Sequence, residues 1–226
     1  MSGMLASVNC LDEALIALQA NVDIIDLKQP ELGALGALNT QQVTSIITTL
    51  AHCKPVSATI GDLPMQADLI LNAVKDMADT GVDYIKIGFF PNQDWHEVIM
   101  KLQPLTQQSL KLIAVLFADQ QPDFKTIETF ALAGFSGVML DTMNKSNGSL
   151  TQVMSLDEIK NFVAIAKQHQ LLCGLAGSLR KTDIKELLPL QADYLGFRGA
   201  LCADHNRTAK LDPIALQDIH AALNKQ

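Results

Sequence analysis

Asp26 and Lys28 stand two residues apart in IIDLKQP (Ile24–Pro30). In an extended strand both side chains therefore project from one face. Lys86 closes an apolar run in DYIKIG, Asp141 closes another in VMLDT, and Arg198 lies within LGFRG. Two lysines, two aspartates and an arginine at the ends of apolar runs suggest amine chemistry. A lysine confined in a dry pocket beside a second cation loses affinity for its proton, and its free amine adds to a carbonyl to form a Schiff base. The second lysine then moves the protons that such chemistry requires, while the carboxylates offset charge and orient the amines. Taken singly, each residue reads as a strand-end charge whose stem snorkels to water. Repetition on four runs removes that reading for the set, since buried charges persist when they are paired and used. The arrangement is that of a class I aldolase-like lyase.

Two glycine-bearing segments follow later in the chain, GLAGSLRKTD (Gly174–Asp183) and GFRGALC (Gly196–Cys202). Glycine lets backbone N–H groups approach an anion, so Gly177, Ser178, Gly199 and Ala200 are expected to cradle a phosphate. Arg198, Arg180 and Lys181 are the cations expected to close that cradle. Ser57 and Thr59 alternate inward in VSATIGD, either as pocket lining or as a satisfied layer of side chains. Asp62 reads equally as a helix cap or a site residue, and Asp119 is open in the same way. His52, His96, His169, His205 and His220 are scattered with no HxxH or HxxxH pair, so no zinc site is expected. His205 falls in a loop and is assigned to solvent. Asn147–Gly148–Ser149 matches a glycosylation sequon, but nothing places the chain on a secretory path.

The elements that must position these residues alternate throughout. Strands are expected at Met4–Val8, Asp23–Lys28, Pro55–Gly61, Tyr84–Phe90, Lys111–Asp119, Gly137–Thr142, Leu171–Ser178 and Tyr194–Leu201. Helices are expected at Leu11–Ala20 with Asn9 as cap, Thr40–His52, Pro64–Asp79, Asn92–Gln107, Pro122–Ala133, Ser155–His169, Lys181–Leu188 and Pro213–Leu223. Eight βα units in 226 residues indicate one α/β domain, a (β/α)8 TIM barrel spanning residues 1–226. A doubly wound open sheet is the structural alternative, but no glycine-rich turn follows Val8. The second, fourth, sixth and eighth strands carry the charges, and alternate strands share layers in such a barrel. Strand entries echo one another as NVDIIDLK, GVDYIKIG, FSGVMLDT and QADYLGFR, consistent with repeated helix-to-strand turns.

Composition sets the outer limits. Apolar residues make up 48% of the chain, ample for a core. A net charge of −7 argues against a nucleic-acid partner. No apolar run approaches the ~18 residues of a membrane span, and no signal peptide is indicated. Cys10, Cys53, Cys173 and Cys202 are widely spaced and read as reduced, mostly packed thiols. The expectation is a soluble cytoplasmic enzyme, homo-oligomeric, acting on a small molecule.

IIDLKQP with LGALGA, VSATIGD, DYIKIG, LDT, LAGS and GFRGA, taken in this order along the chain, resemble the (5-formylfuran-3-yl)methyl phosphate synthase family of methanofuran-type cofactor biosynthesis. The family is also called 4-(hydroxymethyl)-2-furancarboxaldehyde-phosphate synthase. The resemblance implies a (β/α)8 barrel that condenses two molecules of glyceraldehyde 3-phosphate into a furan aldehyde phosphate, releasing phosphate and water, with no metal or organic cofactor. It implies Lys28 as the Schiff-base lysine, Lys86 as the proton acceptor, and Asp26 and Asp141 as active-site carboxylates. Lys145, in the loop after LDT, resembles another family lysine near the site. The chain departs from the archaeal pattern in a shorter Phe117–Phe124 segment and in ADHNR (Ala203–Arg207), where more glycine is expected. Methanogens and methylotrophic bacteria both carry such enzymes, and the shorter chain fits the bacterial kind. A class I aldolase of other specificity, or a sugar-phosphate isomerase or epimerase, would share the barrel and phosphate loops; the isomerase would not need two lumenal lysines. A ligand-binding barrel with a degraded site is disfavoured because lysines, aspartates and glycine loops occur together.

Overall fold

In a sheet covered on both faces, side-chain parity decides which residues face the lumen and which face the helices. The computed structural model describes residues 2–91 and 93–224. Its first half runs β1 (Gly3–Val8), α1 (Leu11–Gln19), β2 (Ile24–Leu27), α2 (Thr40–Leu50), β3 (Val56–Thr59), α3 (Ala67–Ala78), β4 (Tyr84–Gly88) and α4 (His96–Gln107). The second runs β5 (Leu112–Phe117), α5 (Thr126–Leu132), β6 (Gly137–Asp141), α6 (Leu150–Val153), α7 (Leu156–Gln168), β7 (Leu172–Leu175), α8 (Lys181–Leu187), β8 (Tyr194–Phe197) and α9 (Pro213–Asn224). The eight strands are parallel and close in chain order, with β8 pairing back to β1. The expected (β/α)8 barrel is therefore the observed one.

Parity separates two apolar layers. Ala6, Ile25, Ala58, Ile85, Ala114, Val138, Cys173 and Leu195 belong to the large cluster between strands and helices. Leu5, Ile24, Ile113, Val115, Phe117, Met139 and Ala176 fill the lumen. Over β4 and β5 the mouth is closed by Leu35 and by Phe90 stacked on Phe117 at 4.7 Å. Gly88 permits that closure, because a Cβ there would lie 2.8 Å from Leu35 Cδ1.

Three of the four echoed strand entries have a common physical cause. Asp23, Asp83 and Asp193 each accept the N–H that opens the preceding strand region, from Met4 at 2.6 Å, Val56 at 2.8 Å and Cys173 at 2.7 Å. Each carboxylate thus satisfies a backbone donor where one strand begins beside the next.

Several boundaries differ from the sequence reading. Cys10, not Asn9, caps α1 and gives no side-chain bond, while the Asn9 N–H donates to Glu13 Oε2 at 3.0 Å. The start expected at Asn92 lies outside the described residues, and α4 begins at His96. Pro122 does not open α5, which starts after a turn in which Asp123 accepts the Lys125 N–H. A short helix that the sequence reading lacks, α6, precedes the helix expected from Ser155. Strands β7 and β8 stop three and four residues short of their expected C-terminal ends, and β3 and β4 two residues short, as the chain turns into loops. Of the four cysteines, only Cys173 and Cys202 are packed; Cys10 and Cys53 are exposed, and all are free.

Candidate active site

Register brings Ser7, Asp26 and Ser57 to one level on adjacent strands. Inward parity then makes the two hydroxyls donate to the one carboxylate, Ser7 Oγ to Oδ2 at 2.7 Å and Ser57 Oγ to Oδ1 at 2.6 Å. Lys86, from β4, completes the cluster with Nζ 2.6 Å from Asp26 Oδ1. Asp26 is 0% exposed and Lys86 3%. Burial pushes the Asp26 carboxyl up, but Lys86, Lys28 and the Ser57 hydroxyl outweigh it and hold it below the usual carboxylate range.

Asp141 ends β6 and forms a second pair with Lys145, four residues on. The Thr142 N–H donates to Asp141 Oδ1 at 2.7 Å. Burial again pushes this carboxyl up, and Lys145, Lys28 and Thr142 together bring it below its ordinary value. Asp119 fixes the loop that carries Lys145, accepting the N–H groups of Met143 at 2.7 Å and Asn144 at 2.8 Å. That loop-anchoring role settles the residue left open by the sequence.

Lys28 lies just beyond β2 at 7% exposure and borders the same cavity as both pairs. Its amine has no ion-pair or hydrogen-bond partner among the described residues. Burial is the chief cause that lowers its pKa, to about 8; Lys145 and Lys86 act in the same sense, against Asp141 and Asp26. The cavity thus holds a largely enclosed lysine whose neutral form becomes appreciable as pH approaches 8, between two lysines each committed to a carboxylate.

The cavity measures about 240 Å³ and its wall includes Gly177, Ser178, Gly199 and Ala200. The N–H groups of these four residues have no backbone acceptor among the described residues. Gly177 has φ +111°, and a Cβ there would lie 2.8 Å from Thr142 Cγ2, so glycine is required. Arg180 reaches the rim, exposed. Lys181 does not join it, being paired with Asp218 of α9 at 2.6 Å on the outer surface.

Arg198 requires a correction. Part of it lines the cavity, but its guanidinium turns to buried Glu13 of α1. Nε donates to the Arg207 carbonyl at 2.8 Å, Nη1 to the Ser7 carbonyl at 3.2 Å and to Glu13, and Nη2 to Glu13 Oε1 at 3.3 Å and to the Ala209 carbonyl at 3.0 Å. All five guanidinium donors are spent, so Arg198 has none for a phosphate and is a positioning residue. Glu13 also accepts the Leu211 N–H at 2.9 Å.

Asp62 is neither helix cap nor cavity residue. It accepts the N–H groups of Ala34 and Leu35, each at 2.7 Å, and packs where Gly33 at φ +123° leaves no room for a Cβ. Thr59 donates to the Gly36 carbonyl at 2.9 Å and is structural, whereas Ser57 belongs to the Asp26 cluster. His205, assigned to solvent, is exposed but does line the cavity, as do Asn206 and Arg207. Ser7 was legible in principle as the one polar side chain at lumenal parity in MLASV. Glu13 and Arg207 carry no spacing signal. No group of three or more His, Cys, Asp and Glu side chains suited to a metal ion gathers among the described residues, and no helix there is long and apolar enough to cross a membrane.

Residues 4–220 match the 4-HFC-P synthase family. A Methylorubrum extorquens relative is 41% identical over 209 residues, 92% of this chain and 86% of that protein. The (5-formylfuran-3-yl)methyl phosphate synthase of Methanopyrus kandleri is 33% identical over 211 residues, 88% of this chain and 89% of its own length. The solved structure of 3-hexulose-6-phosphate synthase from Salmonella typhimurium has a TM-score of 0.70 over 98% of each chain at 15% identity, a likeness of fold alone.

Proposed function

The chain belongs to the 4-HFC-P synthase family, and from that premise we propose that it condenses two glyceraldehyde 3-phosphate molecules into (5-formylfuran-3-yl)methyl phosphate through an imine on Lys28. The observation that carries the reading is the unpaired, enclosed amine of Lys28, its pKa brought down to about 8, beside two lysine–aspartate pairs.

The neutral amine adds to the carbonyl carbon of one triose phosphate, and the carbinolamine loses water to give the imine. Lys86, holding its proton against Asp26, donates to the departing oxygen. Removal of a proton from the carbon next to the imine gives an enamine, the nucleophile for the new carbon–carbon bond. Lys86 without its proton, or Asp141 through Lys145, stands within the cavity to accept it. Hydrolysis of the imine returns Lys28. Over the whole sequence two triose phosphates yield one furan phosphate, one inorganic phosphate and two waters, without an oxidant or a reductant. The backbone cradle at Gly177, Ser178, Gly199 and Ala200, with Arg180 at the rim, would hold a substrate phosphate. The product would serve methanofuran-type cofactor synthesis in the cytoplasm, a setting that the four free thiols suit.

The test is borohydride reduction with glyceraldehyde 3-phosphate present, followed by peptide mapping and product mass spectrometry. A reduced adduct on Lys28 is expected, with Lys28→Arg abolishing both adduct and turnover, because guanidinium stays protonated. An adduct on Lys86 instead would reverse the roles. Turnover without an adduct on either lysine would end the imine mechanism.

A further inference from the structure

The mouth holds more positive charge than its carboxylates offset. Asp26 answers Lys86, Asp141 answers Lys145 and Glu13 answers Arg198. Arg180 and Arg207 line the same cavity without a carboxylate in ion-pair contact among the described residues. Of the two, Arg207 is the firmly held one. It is half-buried, Nη1 donates to the Pro30 carbonyl at 2.7 Å, and Nη2 donates to the Gly33 carbonyl at 2.8 Å. Its own carbonyl accepts from Arg198 Nε. These bonds use one hydrogen of each terminal nitrogen and leave three N–H donors in a planar fork.

Arg207 and Lys145 line not only the deep cavity but also a wider vestibule of about 390 Å³, bounded by Gly33, Ala34, Met143 and Asn144. The vestibule shares no residue with the Gly177–Ser178 and Gly199–Ala200 cradle. At about 240 Å³ the deep cavity falls below the ~300 Å³ at which ligand pockets commonly begin. Room for a second phosphorylated triose lies where the vestibule adjoins the deep cavity, at the two cations they share. Burial weakens the hold of Arg207 on its proton, and a bound dianion would restore it.

We propose that Arg207, with Lys145, forms a second phosphate subsite, which holds the phosphate of one triose while the backbone cradle holds that of the other. A guanidinium fork beside an ammonium matches a phosphate monoester in shape and charge. The inference rests on the reading that two triose phosphates meet at Lys28. It adds that the enzyme selects for a phosphate on both reactants, through different groups.

The first test needs no turnover. Calorimetric titration of the resting enzyme with inorganic phosphate is expected to give two equivalents for the wild type and one for Arg207→Gln. Arg207→Lys, which keeps the charge, is expected to keep two, the weaker about tenfold weaker than in the wild type. In turnover, Arg207→Gln is expected to raise KM for glyceraldehyde 3-phosphate about tenfold. It is also expected to narrow the preference over unphosphorylated glyceraldehyde as second reactant, while borohydride trapping on Lys28 persists at saturation. One equivalent in the wild type, or two in Arg207→Gln, overturns the subsite. Equal loss in the Gln and Lys variants also overturns it, because that marks Arg207 as a staple between loops and nothing more. A wild type that binds two phosphates but traps no imine supports the subsite and sinks the imine reading alone.

Discussion

Asp26 and Lys86 both sit on strands, and three donors from β1, β3 and β4 converge on the one carboxylate. Asp141 sits at a strand end, and its partner Lys145 comes from the loop beyond, held by Asp119 through two backbone N–H groups. The exposures differ accordingly, 4% and 0% for the Lys86 and Asp26 side chains against 16% and 3% for Lys145 and Asp141. Two pairs of the same chemistry thus differ in what sets their geometry. The barrel frame sets the deep one, and hydrogen bonds within and between loops set the outer one. Lys28 stands between them and answers electrostatically to both.

The largest expected effect comes from removing what lies between the pairs. Lys28→Met is expected to abolish turnover and borohydride trapping while making the fold more stable at pH 7. The wild type keeps an ammonium whose pKa falls from 10.5 to about 8 on folding. The unfolded chain therefore binds that proton more tightly, and the penalty is full below about pH 8. Its removal is expected to contribute roughly 3 kcal/mol, at about 1.4 kcal/mol per unit. The gain should fade as pH rises from about 8 towards 10.5. Urea denaturation at several pH values checks this, and a gain independent of pH would refute the account of Lys28.

The comparison itself is tested by Asp26→Asn against Asp141→Asn. The first strands Lys86 in the lumen without a counter-charge and is expected to cost about 3–5 kcal/mol. The second is expected to cost clearly less, because Lys145 can turn to water. Equal losses in denaturant would erase the distinction between frame-set and loop-set pairs. A smaller effect is expected from pH on the wild type. Where imine formation limits the rate, kcat should rise about tenfold per unit towards a plateau above about pH 8, as Lys28 loses its proton. A flat profile over that range would shift the limiting step away from Lys28. The smallest effect is expected from Asp119→Ala, which releases the Met143 and Asn144 N–H groups and loosens Lys145. A loss of several-fold in kcat with Lys28 trapping intact is expected, and partial rescue by Asp119→Asn, which keeps one of the two acceptors, separates positioning from fold damage.

Lys28, Lys86, Asp26 and Asp141 were legible because each interrupts an apolar run at lumenal parity, a signal that survives without any tertiary knowledge. Arg198 satisfies the same parity and misleads. Its backbone leaves the strand at φ −134° and ψ −68°, and an acid on α1 claims the guanidinium. Nothing in LDEALIALQ marks Glu13 as buried, since an acid in a first helical turn is ordinarily a solvated one. Asp62 and Asp119 were visible as strand-end acids, yet what they bind is a backbone more than twenty residues distant in sequence, as the 27 and 24 residues to Leu35 and Met143 show. Arg207 lies in an aperiodic loop, where residue order says nothing about which way a side chain turns. The barrel was readable because eight similar units repeat it, and the rim was not because each loop is built once.

The ion pair between Glu13 and Arg198 joins residues 185 positions apart. The stretch between them must be made before those two can meet, and the loop that carries Arg207 is held in part by that meeting. Lys28, by contrast, is made 170 residues before Arg198. Until the eighth strand docks against the first, its amine is open to water and carries an ordinary, tightly held proton. The lowered proton affinity of this amine therefore belongs to the closed ring and not to the open chain.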